Sequence, residues 1–186
     1  RLSEIYFEAQ RYEDAYEANL IILSQEPRYF NALFMSGIIM KIMKKWPKAL
    51  DYFERTIRIE PENISVQLQR AYCLGLSGKA DEALDLYTKL KQNFPEDFRI
   101  YQDLGVFYDS LGKHDLAREN FRQVVELNPV PLTYFNFAIF LEKIGDLKDA
   151  IHFLGLYLDN VPDNDSIKKN RAEKLYLEWQ SRVKSN

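Results

Sequence analysis

The chain has 186 residues, the length of one ordinary domain, and 46% of them are hydrophobic, with 12 Tyr and 12 Phe to fill a core. Its net charge of −3 and its pI of about 5.5 argue against a nucleic-acid-binding surface. The single cysteine excludes an intramolecular disulfide, and no apolar run approaches the roughly 20 residues of a membrane span.

The first 29 residues predict a shortened pair of helices. Leu2, Ser3 and Tyr6 belong to the first helix, and Ala15 and Pro27 follow in the second. The first helix lacks its opening turn and the chain begins with arginine instead of methionine. We therefore expect further chain upstream of this segment, with room for more repeats or a targeting sequence.

Residues 30–63 and 64–97 predict two complete helix pairs. Pro47 lies at the start of a second helix, where its missing N–H costs no hydrogen bond. Gly78 is expected to end a first helix in the left-handed conformation, and Asp81 is expected to cap the helix that follows.

Residues 98–130 carry the clearest pattern of two amphipathic helices joined by a short turn at residues 111–113. The first helix places these residues on one face at spacings of three and four: Tyr101, Leu104, Gly105 and Tyr108. The second helix has its own face, formed by Ala117, Phe121 and Val124, and Pro129 ends the unit. Gly105 predicts that the two helices approach closely, because its position admits no side chain.

Residues 131–164 predict a fifth pair, and residues 165–186 predict one last helix without a partner helix. That helix has one apolar edge, formed by Ala172, Leu175, Tyr176 and Trp179. From residue 167 to the end the charge is +4, whereas the preceding 166 residues carry −7. A charged helix with one apolar edge is typical of a capping helix at the end of a repeat array.

Two residue types keep the same spacing along the chain. Prolines recur at steps of 34, 34, 34 and 33 residues: Pro27, Pro61, Pro95, Pro129 and Pro162. Alanines recur at the same four steps: Ala15, Ala49, Ala83, Ala117 and Ala150. The shorter step indicates that one residue has been lost between Pro129 and Ala138.

The unit at 98–129 resembles the tetratricopeptide repeat, whose signature is W-x2-L-G-x2-Y, then A-x3-F, then P, with Tyr101 in place of the tryptophan. The resemblance implies an all-α fold, a right-handed helical-repeat solenoid of about five helix-turn-helix units plus a C-terminal capping helix. Residues 1–186 are then expected to form a single domain, since each repeat must stack on its neighbours to bury its apolar face.

The resemblance also implies where a partner would bind, because first helices line the concave groove in this family. Carried onto this chain, the family's positions give a set that we call the groove residues: Asn31, Phe34, Ile38, Leu68, Tyr72, Arg99, Gln102, Val106, Asp109, Phe135, Ile139 and Glu142. The set is unusually apolar for a solvated groove, which favours a partner site over coverage by superhelical closure or by the chain's own tail. The expected partner is a protein or peptide with apolar anchors.

Some family members hold the acidic tails of heat-shock chaperones with a clamp of Lys, Asn and Arg side chains. Here Phe34 and Ile38 occupy the places of the first Lys and Asn, and Asp103 stands where the late Arg is needed. Arg99 alone matches a clamp cation. Acidic chaperone tails are therefore not the expected ligands.

The sequence favours no catalytic or metal-binding function within this chain. His114 falls at a position that is usually aromatic in the family, so we expect it to pack between helices. His152 has no carboxylate or cysteine at ligand spacing, and Cys73 is expected to be a small buried residue. We find no phosphate-binding loop, nucleophile elbow or metal motif, and we expect no cofactor.

The interpretation that fits these features is a non-catalytic scaffold or adaptor for protein–protein interaction. A homo-oligomer that buries the same apolar faces in itself is an alternative. An RNA-binding helical repeat is disfavoured by the 34-residue step and the acidic pI. The sequence favours a soluble, cytoplasmic protein.

Overall fold

The computed structural model describes residues 1–162 and 166–184, which form α-helices joined by short turns, without a strand in these two ranges. The helices are α1 Leu2–Glu8, α2 Tyr12–Gln25, α3 Phe30–Ile42, α4 Trp46–Ile57, α5 Ile64–Leu76, α6 Ala80–Asn93, α7 Phe98–Ser110, α8 His114–Leu127, α9 Pro131–Lys143, α10 Leu147–Asn160 and α11 Ser166–Lys184. The predicted all-α helical repeat is confirmed. Residues 163–164 of the fifth repeat, and 165, 185 and 186 of the last segment, lie outside the described residues.

Each predicted repeat corresponds to one pair of helices, from α1–α2 to α9–α10. The connection between α8 and α9 consists of residues 128–130, whereas the connections at 26–29 and 94–97 each have one residue more. This confirms that the repeat spacing shortens by one residue before α9. Pro131 is the first residue of α9, where a missing N–H leaves no hydrogen bond unmade.

The helices group into two compact units, Arg1–Phe94 and Pro95–Asn186. In the first unit, α3 contacts both α4 and α5, and its core contains Leu33, Ile39 and Phe53. In the second unit, α9 contacts both α8 and α10, and its core contains Phe137, Leu141 and Leu154. That residues 1–186 form a single domain stays a prediction.

Small residues allow the paired helices to approach closely, as the sequence indicated. The repeated alanines Ala15, Ala49, Ala83, Ala117 and Ala150 are each 0% exposed. A Cβ atom added at Gly37 would lie 2.5 Å from Cε1 of Phe53, a distance that no real side chain tolerates. The same addition at Gly105 would lie 2.7 Å from Cε1 of Phe121. In both repeats the second-helix aromatic ring therefore packs on the first-helix backbone.

The turn inside each repeat ends the first helix with a residue in the left-handed conformation. Gly78 has φ +84° and Gly112 has φ +70°, so the predicted role of Gly78 is confirmed. In the first two repeats the equivalent residues are not glycine: Gln10 has φ 58° and Lys44 has φ 57°. Pro47 lies in the first turn of α4, as expected.

Two local predictions are wrong. Asp81 does not cap α6, because the helix begins one residue earlier, at Ala80, and its N-cap residue is Lys79. His114 does not pack between helices: its side chain is 46% exposed, since it is the first residue of α8. Its Nδ1 atom lies 3.3 Å from Oδ1 of Asp109 instead.

The last helix has the apolar edge that the sequence predicted. Ala172 is 0% exposed and Trp179 is 2% exposed, while Leu175 and Tyr176 are half-buried in the same cluster. Leu177, on another face, is 65% exposed. In the described ranges, every helix is too short or too polar to cross a membrane.

Candidate functional site

In the first unit, the groove residues of α3 lie at the edge of the core. Phe34 and Ile38 are half-buried and pack against the core of this unit, and the ring of Phe34 lies 6.1 Å from that of Phe53. Asn31, one turn earlier, is exposed. The α3 surface therefore offers a partner the outer sides of two apolar residues that the core holds in place.

The α5 helix continues this surface in the same unit. Tyr72 is half-buried, and Nζ of Lys41 lies 5.4 Å from the centre of its ring. Lys41 also donates a hydrogen bond of 2.5 Å to Oε1 of Gln69, so it is held between two α5 side chains. Leu68 is only 4% exposed, and it supports the surface from below instead of forming part of it.

In the second unit, four groove residues from α7 and α9 line one cavity of about 300 Å³. They are Gln102, Val106, Phe135 and Ile139. Val106 is 45% exposed and Ile139 is 39% exposed, so the cavity opens to solvent between apolar side chains. The structure brings these four predicted residues together in one place.

The remaining lining of the cavity comes from residues that the groove positions did not include. They are Phe121, Val124, Thr133, Asn136 and Phe137. The ring of Phe121 lies 4.8 Å from that of Phe140, which fixes its position in the wall. The sequence signal for Phe121 was an aromatic residue four positions after Ala117, a pattern that by itself predicts only helix packing.

The charged groove residues of the second unit are neutralised by ion pairs. Nζ of Lys143 lies 2.6 Å from Oδ2 of Asp109, and Nη1 of Arg182 lies 2.7 Å from Oε1 of Glu142. Nη2 of Arg99 lies 2.5 Å from Oδ2 of Asp97. The hydrogen bond from Arg99 holds the pKa of Asp97 below its usual range. The rim of this surface therefore carries its charges in balanced pairs.

The described residues contain no group of three His, Cys, Asp or Glu side chains arranged to hold a metal ion. Cys73 is 0% exposed, as predicted, and burial raises the pKa of its thiol to about 11. His152 is exposed, with its ring 5.1 Å from that of Phe153. The arrangement around α7 and α9 supports non-covalent binding of an apolar group.

Models of the tetratricopeptide repeat match residues 65–97 and 98–131. The chain is 30% identical over 153 residues to human tetratricopeptide repeat protein 13, which covers 75% of this chain and 18% of that protein. It is 28% identical over 137 residues to the BBSome complex member BBS4 of Bos taurus, covering 73% of this chain and 26% of that protein. The chain thus spans about a quarter or less of these relatives.

A solved structure with the same fold is a tetratricopeptide repeat protein from Parabacteroides merdae. It superimposes with a TM-score of 0.74 over 94% of this chain and 68% of that one, at 18% sequence identity. At this identity the likeness concerns the arrangement of helices and gives no information about ligands.

Proposed function

We propose that this chain, which is a tetratricopeptide repeat protein, is a non-catalytic scaffold that binds a partner protein through apolar anchors. The observation that carries the proposal is the cavity on α7 and α9, lined by four of the groove residues. A partner side chain placed there would cover Val106 and Ile139, which are now exposed. Burial of apolar surface supplies the main free energy of such a complex.

The size of the cavity limits what can enter it. About 300 Å³ is at the lower end for a ligand pocket, and it suits one large side chain such as Leu, Met, Phe or Trp. Gln102 and Asn136 are exposed amides at the same cavity, and an amide side chain can both donate to and accept from a peptide backbone. We therefore expect a peptide segment with a single bulky anchor at this point.

Phe34, Ile38 and Tyr72 form an apolar surface in the first unit, and we propose that this surface also binds apolar anchors. Because the rim charges of the second unit are paired, reversing the charge of Arg99 should change orientation and rate of binding more than affinity. The bovine relative's name places it in a multi-protein complex, which agrees with a scaffold role for this family.

A selection from a random peptide library, with the whole chain as bait, tests the proposal. Enriched peptides should carry a bulky apolar residue, and their binding should depend little on salt. Truncating a buried anchor commonly costs about 2 kcal/mol or more, on the order of thirtyfold in affinity. Ile139→Glu places a charge at the cavity and should lower the affinity for these peptides by a similar factor.

Leu127→Glu is the matched control, because Leu127 is 37% exposed against 39% for Ile139 and does not line the cavity. It should leave peptide binding unchanged. If Ile139→Glu and Leu127→Glu bind the peptides equally well, the cavity is not the binding site. If high salt alone abolishes binding, recognition depends on charges and not on the apolar cavity. If light scattering shows a dimer that Ile139→Glu abolishes, the partner is a second copy of this chain.

A further inference from the structure

The turn between α3 and α4 lies in a basic segment of an acidic chain. Residues 27–50 contain five basic residues and no Asp or Glu: Arg28, Lys41, Lys44, Lys45 and Lys48. Since the first unit, Arg1–Phe94, has a net charge of zero, its residues outside 27–50 carry −5. A concentrated positive charge on a negative background gives a local field of opposite sign to that of the surrounding surface.

Three of these lysines, Lys44, Lys45 and Lys48, form what we call the lysine edge. All three are exposed, and no described carboxylate lies within ion-pairing distance of their ammonium groups. In two of the corresponding turns the cation is paired: Arg11 pairs with Asp14, and Lys79 pairs with Glu82. The cations of the lysine edge are therefore available to an external anion.

The lysine edge has a cost for the fold. Lys45 is the N-cap residue of α4 and Lys48 lies in its first turn, where the helix dipole disfavours positive charge. The first turns of α2, α6, α8 and α10 all contain an acidic residue, whereas that of α4 contains none. Lys44 lies just after the end of α3, where the dipole favours a cation, and basic N-cap residues also precede α2, α6 and α8. Helix stability therefore gives no reason for Lys48, and binding of an anion supplies one.

We propose that the lysine edge is a docking site for an acidic segment of a partner protein. Ile42, the last residue of α3, is 39% exposed and precedes Lys44 by two residues, so we expect the segment to carry an apolar residue next to its Asp or Glu side chains. The edge is only five residues wide, and the other residues of the first unit, which carry −5, repel a long polyanion. A short acidic peptide therefore fits better than nucleic acid or an extended anionic membrane.

The test is fluorescence anisotropy with a labelled peptide of six glutamates and one leucine, titrated with the whole chain at low and at high salt. The wild-type chain should bind, and its affinity should fall as salt rises. A triple variant with Lys44→Glu, Lys45→Glu and Lys48→Glu should bind at least about tenfold more weakly, because attraction becomes repulsion at the site. The same variant with glutamine should lose binding to a lesser degree.

The matched control changes the same total charge at the corresponding turns of later repeats: Lys79→Glu, Lys113→Glu and Lys148→Glu. This control should bind the peptide within about twofold of wild type once long-range effects are screened at moderate salt. The single variant Lys48→Glu should raise the melting temperature, because a glutamate is favourable near a helix N-terminus. The same variant should lower the affinity for the peptide. These opposite signs separate a binding role from a structural one.

Four results would overturn the proposal. The first is that the wild-type chain does not bind the peptide at low salt. The second and third are that the glutamate variant of the lysine edge and the control variant lose peptide binding equally, or that neither loses it. The fourth is that a different anion binds more tightly than the peptide and depends on the same lysines. The last is measured with a 20-base-pair DNA duplex and with vesicles of phosphatidylserine and phosphatidylcholine in the same titration. None of these results depends on the cavity at α7 and α9, so the two proposals fail independently.

Discussion

The aromatic ring of Phe121 lies against the backbone of Gly105, so close that a Cβ atom on residue 105 would be 2.7 Å from Cε1 of the ring. Phe121 is also a wall of the cavity that Val106 and Ile139 line. One packing contact between the two helices of a repeat therefore sets both the separation of α7 and α8 and the shape of the candidate site.

Gly105→Leu should destabilise the fold, because the added side chain would force Phe121 out of place. Overpacking of this kind typically costs about 1–3 kcal/mol, which urea denaturation followed by circular dichroism would measure. Gly155→Ala is the control in the same unit, since its Cβ would lie 3.6 Å from Tyr176, an ordinary contact. It should stabilise by up to about 1 kcal/mol through helix propensity. Unchanged stability in Gly105→Leu would show that α7 and α8 are paired wrongly.

Gln10→Gly should stabilise the chain, because Gln10 has φ 58° in a turn where later repeats use glycine. Relief of the strain in the left-handed conformation should raise the free energy of unfolding by about 1 kcal/mol. The greater conformational freedom of glycine in the unfolded chain offsets part of this gain. Gly112→Ala, at φ +70°, should lower stability by a similar amount. Thermal denaturation of both variants checks the signs, and a shift in the same direction for both would contradict the turn geometry.

Asp146→Ala should lower stability by about 1–2 kcal/mol, because one carboxylate has two partners. Its Oδ1 accepts a hydrogen bond of 3.2 Å from the backbone N–H of Asp149 as the N-cap of α10. Its Oδ2 lies 2.7 Å from Nη1 of Arg118 on α8. The cap accounts for most of the loss and the part-exposed ion pair for less. Lys113→Ala, at the uncapped start of α8, should change little in the same urea titration.

Trp179→Ala should destabilise the second unit strongly, since the side chain is 2% exposed in its core cluster. Loss of a buried aromatic side chain typically costs about 3–5 kcal/mol. Leu177→Ala removes a side chain that is 65% exposed on the same helix and should cost less than about 0.5 kcal/mol. If the two variants melt at the same temperature, α11 is not a cap on the fifth repeat.

The helices, the repeat length and the small residues between paired helices could be predicted from the sequence. These features depend on local spacing: residues three and four apart share a helix face, and an alanine or glycine at a fixed step permits close packing. The shortened connection before α9 could also be predicted, because the step between equivalent prolines and alanines falls from 34 to 33 residues there. The left-handed glycine at residue 78 followed from its position after a helix.

Contacts between side chains of different helices could not be predicted from the sequence. The cavity needs the ring of Phe121 from a second helix beside Val106 and Ile139 from first helices, and no spacing along the chain specifies that distance. The pairing of Asp109 with Lys143 likewise depends on how one repeat is placed on the next. Side-chain contacts between helices are fixed by rotamers and by the helix separation, both of which arise only when the whole core packs.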